Sequence, residues 1–362
     1  MKLHAINAFH GDCLLLESSE GRFILIDGGP PHTYDNYAAD YLEAVVGPTG
    51  TYELVVVSHV DADHIIGVLD LFAELERRTV NHDPVFKVGD LWHNAFTDTI
   101  DTADQEISQG IQSILDFAGT ANMAMTLGQI DFLGISEGYK LERSAKRSGV
   151  PINAAFGGAI ISPDSLPDPV HKIGTLSLRI VGPTKSNLDA LRQQWLDWVR
   201  DNLPKVAAWQ PDALANVDKS IPNLSSIVLL AEEGGKRFLL TGDARGDHIL
   251  QGLGAARLLD AQGGIDIDLL KVQHHGSDRN TDSDFFRKVR AATYVISANG
   301  KYGNPDLETL EWIVDAAHAR GQNIHIAVTN DAPSLAQIAA SRPSAQFGYT
   351  LTVGDQEATV IG

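Results

Sequence analysis

Four apolar segments of this chain each end in residues that can bind a metal ion. Phe23–Ile26 runs into Asp27-Gly28-Gly29, and residues 54–57 run into Ser58-His59-Val60-Asp61-Ala62-Asp63-His64. Residues 237–240 run into Thr241-Gly242-Asp243, and residues 268–273 into His274-His275-Gly276-Ser277. The continuous apolar run 54–57 suits a strand covered on both faces. An isolated Asp-x-Asp is usually a turn or a helix cap, and an isolated His-His is usually structural. Four such groups, each after a buried strand, constrain the chain far more. In a layered α/β fold the loops at strand ends converge, so residues distant in sequence can meet around one cation or two.

Within His59-x-Asp61-x-Asp63-His64 the spacing can divide four ligands between neighbouring cations. His59 and Asp61 would serve one, and Asp63 and His64 the other. Asp243 could bridge both, with at least one of His274 and His275 joining them. Such a pair would share an activated water.

The surrounding pattern is α/β. Residues 3–8 and 13–17 read as a hairpin, 36–46 as a helix, and 65–78 as a helix with Ile65, Val68, Leu69, Phe72 and Leu75 on one face. A strand is expected over 88–92, a long helical stretch over 104–146 and a strand over 176–181. A helix is expected over 186–207, striped by Leu188, Leu191, Trp195, Trp198 and Val199. The segments 226–231 and 237–240 form a hairpin around Glu232-Glu233-Gly234-Gly235-Lys236. Helices are expected over 246–258, 285–291 and 307–320, with a strand over 294–297. The 80–170 stretch shows no second complete core pattern. It is expected to be an insertion bordering the cleft of a single domain spanning 1–362. Residues 186–222 are expected to be a second, mostly helical insertion.

Composition narrows the function. A length of 362 residues with 43% hydrophobic content suffices for a large core. The single cysteine, Cys13, excludes a disulfide framework and cysteine-rich zinc modules. The net charge of −19 argues against passive binding of long duplex DNA or of anionic membranes. The N-terminus lacks a basic segment followed by an apolar one, and no apolar run approaches the ~20 residues of a membrane span. A cytoplasmic protein is expected. Neither a phosphate-binding glycine loop nor a serine-nucleophile motif is present.

Taken in order, these motifs resemble the metallo-β-lactamase-fold hydrolases, in particular the branch containing the hydrolase domain of the competence protein ComEC. The resemblance rests on Gly11-Asp12, Ile26-Asp27-Gly28-Gly29, residues 58–67, residues 223–228, Leu240-Thr241-Gly242-Asp243 and residues 270–277. It implies a four-layer αβ/βα sandwich with two divalent metal ions in its cleft, zinc first and manganese or iron as alternatives. Three departures stand out. Asp61 occupies the position of the family's second histidine, as in the ComEC-like branch, which makes the site harder and more anionic. Asn223 stands near the family's lone histidine, so one of His274 and His275 could replace the missing ligand. Tyr302-Gly303-Asn304-Pro305 carries Asn304 where relatives often have histidine.

The expected roles follow. His59, Asp61, Asp63, His64, Asp243, His274 and His275 are the metal ligands. Asp63 also orients or deprotonates the hydroxide, and Asp27 orients ligands from behind. Ser277 and Asn304 contact substrate. The leading expectation is a binuclear hydrolase acting through a bridging hydroxide on a small or single-stranded phosphodiester, as a phosphodiesterase or nuclease. Hydrolysis of an ester, lactone, thioester or amide is the alternative, and a catalytically silent binding module of the same fold is a third reading.

Overall fold

The computed structural model describes residues 1–94, 130–165, 168–193, 196–197, 225–354 and 357–362. Two mixed sheets face each other. The first contains β1 (Lys2–Ile6), β2 (Leu14–Glu17), β3 (Phe23–Ile26), β4 (Thr51–Val56), β5 (Lys87–Val88), β6 (Leu91–Trp92) and β15 (Ala358–Ile361). The second contains β7 (Val170–Ile173), β8 (Leu176–Gly182), β9 (Val228–Glu233), β10 (Lys236–Leu240), β11 (Ile265–Lys271), β12 (Val289–Ile296), β13 (Ile324–Val328) and β14 (Tyr349–Val353).

Strand alternation explains the layering. Leu14, Leu16, Leu54 and Val56 point inward and meet Leu178, Ile180, Leu229 and Leu240 of the other sheet. Leu15, Val55 and Val57 point the other way and are just as buried, against α1 (Ala39–Val46) and α2 (Ala62–Asn81). Toward the C-terminal ends of β4, β10, β11 and β12 both faces are covered, which is why the sequence there is almost entirely apolar. The outer face of the second sheet packs in the same way on α4 (Gly246–Ala255), α5 (Ser283–Lys288), α6 (Leu307–Ala319) and α7 (Pro333–Ser341). The result is the four-layer αβ/βα sandwich. Among the described residues no helix is long and apolar enough to cross a membrane.

Of the 80–170 stretch, residues 95–129 lie outside the described residues. Its described helix, α3 (Ile130–Arg147), buries Leu141 and Ala145 in the same core as Ile65, Phe72 and Leu75 of α2. Trp195, Trp198, Val199 and Asn223 also lie outside the described residues.

Several boundaries differ from the sequence pattern. The helix expected over 285–291 spans Ser283–Lys288, and Val289–Ala291 open β12 instead, paired in register with Ile265–Ile267. The β-branched Val289 feeds the sheet, where a helix had been read from Phe285 and Phe286. The expected strand 268–273 begins earlier, at Ile265, and stops at Lys271. Strands β13, β14 and β15 had no counterpart in the pattern. The last two lie at sheet edges, where β14 exposes Thr350 and Thr352 and no residue of β15 is fully buried, so neither reads as a buried apolar strand. The hairpin at Gly234-Gly235 is as expected, with both glycines at positive φ.

Candidate metal centre

Strand direction assembles the site. β3 and β4 are parallel, as are β10, β11 and β12. Their C-terminal ends therefore deliver Asp27, His59, Asp243, His274 and Ser297 to one rim of the sandwich.

Asp243 is the focus. Its carboxylate lies 3.9 Å from Nε2 of His59, 3.3 Å from that of His64, 3.7 Å from that of His274 and 3.5 Å from that of His275. Asp63 sits 3.6 Å from His275 Nε2 and 4.0 Å from His64 Nε2, and Asp61 sits 3.5 Å from His59 Nε2. Four of the other six sequence-named ligand candidates thus lie within 4 Å of the Asp243 carboxylate, and Asp61 and Asp63 lie against those histidines.

The opposite nitrogen of each imidazole is held by the protein. Nδ1 of His64 donates to Asp27 at 2.8 Å, and Nδ1 of His275 donates to the Ser297 carbonyl at 2.9 Å. Nδ1 of His274 faces Asn280 Oδ1 at 2.6 Å, and Nδ1 of His59 faces Ser58 Oγ at 3.0 Å. Ser58 Oγ donates its own proton to Asp27 at 2.7 Å. Each ring therefore turns its Nε2 lone pair inward, the arrangement that outer partners impose on metal-binding histidines. Inside, Nε2 of His59, His64 and His275 and Oδ1 of Asp243 are buried without a hydrogen-bond partner. Buried polar atoms left unpaired are costly, so this donor set fits a cation.

Backbone conformation allows the convergence. His274 and His275 are consecutive left-handed residues (φ 47° and 55°), a geometry that non-glycine residues seldom adopt. In a strand, neighbouring side chains would point to opposite faces. Here both reach Asp243. Asp27 also has positive φ, 59°, at the end of β3. Behind it, Gly28 meets Gly67 of α2 so closely that a Cβ on Gly67 would lie 1.9 Å from the Gly28 carbonyl oxygen. The glycines of Asp27-Gly28-Gly29 and His64-Ile65-Ile66-Gly67 let strand end and helix touch, which brings Asp27 to His64.

Charge is unbalanced. Asp12, Asp27, Asp61, Asp63 and Asp243 carry five negative charges around the site, and the ammonium of fully buried Lys271 lies among them. Lys271 pairs with Asp12 and lies 4.0 Å from Asp243. With neutral histidines, four negative charges remain, the complement of two divalent cations. Without cations the imidazoles compensate. Burial pushes the pKa of His275 down, but Asp243 and Asp12 outweigh it and raise it to about 10. Burial likewise opposes, and Asp243 and Asp27 impose, a strong upward shift at His64. Asp243 and Asp63 are held below the usual carboxylate range by the same histidines, against their own burial.

Ser277 closes the His-His turn: its amide donates to the His274 carbonyl at 2.8 Å and its Oγ accepts from Arg279. Asn304 lies in the 297–306 loop, and the Pro305 that follows it packs against Gly276. Sequence reasoning missed Asn280, Ser58 and the Lys271–Asp12 pair. Lys271 alone left a signal, as a lysine in an apolar strand. His93 is buried with both ring nitrogens unpartnered among the described residues, and burial lowers its pKa to about 4. His10 beside the centre is also held near 4 by burial, with Asp63 opposing.

No protein-family model matches the chain. Over 96 residues it is 35% identical to ComE operon protein 3 of Bacillus subtilis (strain 168), covering 26% of this chain and 12% of that protein. Over 61 residues it is 34% identical to microtubule-associated protein 1A of Rattus norvegicus, covering 17% of this chain and 2% of that protein. Among solved structures, Zn2+-bound PqqB from Methylobacterium extorquens aligns over 100% of both chains with a TM-score of 0.44 and 10% identity. A diphosphatase from the PhnP family aligns over 100% of this chain and 98% of its own, with a TM-score of 0.40 and 10% identity. The aligned segment thus spans about an eighth of ComE operon protein 3 and a far smaller part of microtubule-associated protein 1A.

Proposed function

We propose that the chain is a hydrolase dependent on two divalent cations and that it cleaves a small or single-stranded phosphodiester. One observation carries this reading: four imidazoles, each fixed through Nδ1, turn Nε2 toward a single buried aspartate. His59, Asp61 and His274 would hold one cation, Asp63, His64 and His275 the other, and Asp243 both. Bound there, divalent cations supply Lewis-acid charge and lower the pKa of water toward neutrality.

The chain's own residues do the rest. Asp27 and Ser58 lock the tautomers of His64 and His59. Asp63, partly exposed at the start of α2, is the carboxylate placed to accept a proton from attacking water. The Lys271 ammonium offsets Asp12 and Asp243 so that the centre carries no more negative charge than two divalent cations match. Phosphodiesters suit such a centre because charge develops on both the attacking and the leaving oxygen.

Purified protein would be stripped with a chelator, reloaded with zinc or manganese, and assayed on bis-p-nitrophenyl phosphate, single-stranded DNA and a lactone panel, with bound metal counted. Two ions per chain and phosphodiester cleavage are expected. Cleavage of the lactones alone would move the assignment to acyl substrates. A chain that takes up no metal would be a silent module.

A further inference from the structure

Two loops rise beside this centre. Residues 7–12 end at Asp12, whose amide donates to the Asp63 carbonyl at 3.2 Å. Residues 297–306 begin at Ser297, which holds His275, and end at Asp306, whose amide donates to the Gly276 carbonyl at 3.0 Å. Both loops are therefore pinned to the backbone that carries candidate ligands. Where they meet, His10, Lys301 and Tyr302 form a cluster used by nothing described so far.

Lys301 Nζ lies 3.2 Å from Nε2 of His10 and 5.0 Å from the centre of the Tyr302 ring. The His10 and Tyr302 rings meet edge to face, 5.4 Å apart. Tyr302 is 62% exposed, and among the described residues the other large exposed hydrophobic ones, Val80, Val353 and Val360, are aliphatic. Lys301 has no carboxylate partner among the described residues, in a chain with 47 acidic side chains. Its ammonium instead sits against His10 Nε2 and over the Tyr302 ring, so no carboxylate cancels its charge and its position is partly fixed in advance. A fixed cation beside an open aromatic face suits a ligand with an anionic part and a flat apolar part.

The geometry points to His10, Lys301 and Tyr302 as a recognition rim for a phosphoester that carries a planar aromatic group, nucleobase or aryl. The inference rests on the phosphoester reading of the adjacent centre. Lys301 would contact a non-bridging phosphate oxygen while Tyr302 stacks on the ring, and His10 holds Lys301 in place.

The rim can be tested by binding, without turnover. Calorimetry on the zinc-loaded chain would compare inorganic phosphate, phenyl phosphate and thymidine 5′-monophosphate, for wild type, Tyr302→Ala and Lys301→Ala. Circular dichroism would verify that both exposed-site variants fold. Stacking on an aromatic residue is worth ~1–3 kcal/mol per base, so the aromatic ligands should bind about tenfold or more tighter than inorganic phosphate. Tyr302→Ala should erase that advantage and leave phosphate affinity unchanged, whereas Lys301→Ala should weaken all three ligands. A stronger effect with thymidine monophosphate than with phenyl phosphate identifies the ring as a nucleobase, and equal effects identify an aryl site. An aromatic advantage that survives Tyr302→Ala, or none in the wild type, overturns the rim. A wild type that shows the advantage yet hydrolyses no phosphoester overturns the hydrolase reading and leaves the rim standing.

Discussion

Asn280 bridges the two loops that define the centre: its side-chain oxygen meets Nδ1 of His274 at 2.6 Å, and its amide nitrogen donates to the Asp243 carbonyl at 3.0 Å. His274 is the only one of the four histidines with appreciable exposure, at 30%, so packing alone does not fix its ring. Asn280→Leu keeps the branched shape with a somewhat larger side chain and removes both hydrogen bonds. Loss of an outer partner typically costs about 10–100-fold in metal affinity. Isothermal titration with zinc should show one of two sites weakened by about that factor and the other unchanged. Asn280→Asp, which keeps the acceptor, should recover most of the loss. Two unaltered sites in Asn280→Leu would remove His274 from the ligand set.

Asp243→Ala removes the carboxylate that all four imidazoles share. Bound metal should fall by at least one ion per chain, and phosphodiester cleavage should nearly vanish. The stripped protein should melt within a few degrees of wild type, because the residue sits past the end of β10 and one fewer buried negative charge remains. Metal analysis, turnover and calorimetric melting on the same preparation check all three. Full occupancy with near-normal turnover would show that the shared position is misassigned.

The contact between Gly28 and Gly67 supports the Asp27–His64 pair. An added methyl on Gly67 would collide with backbone, not with a yielding side chain. Overpacking of this kind typically costs about 1–3 kcal/mol and can cost more. Gly67→Ala should therefore lower the urea midpoint and weaken zinc binding together. Gly254→Ala is the control. Its new methyl would meet Leu259 at an ordinary 3.6 Å in α4, and it should be neutral or mildly stabilising.

His93 makes stability depend on pH. Its folded pKa is about 4, below the ordinary value of ~6.5. Between these values the unfolded chain takes up a proton that the folded chain refuses, so stability falls as pH drops from 6.5 through 4. The gap corresponds to roughly 3 kcal/mol. His93→Leu should lose less stability than wild type between pH 7 and pH 4.5, measured by urea unfolding of metal-free protein. Parallel losses would show that His93 takes up its proton as easily folded as unfolded.

The sequence by itself determined which strands are central and what stands at their ends. Burial on both faces demands unbroken apolar runs, and such runs are visible without coordinates, as are Asp27, His59, Asp63, His64, Asp243 and the His274-His275 pair behind them. Turn glycines marked the 234–235 hairpin for the same local reason. Tertiary structure decided what depends on distance between segments. The left-handed His274 and His275, which let neighbouring residues serve one carboxylate, leave no periodic trace. Asn280 and Ser58 act through hydrogen bonds between segments that no spacing encodes. Lys271 could be recognised as a counter-ion only once Asp12, 259 positions earlier, lay against it. The edge strands β14 and β15 were hidden because edges keep polar faces, and pairing with β13 or β1 supplies the order that their own composition does not, whereas β13, buried between β12 and β14, is a short run interrupted by His325.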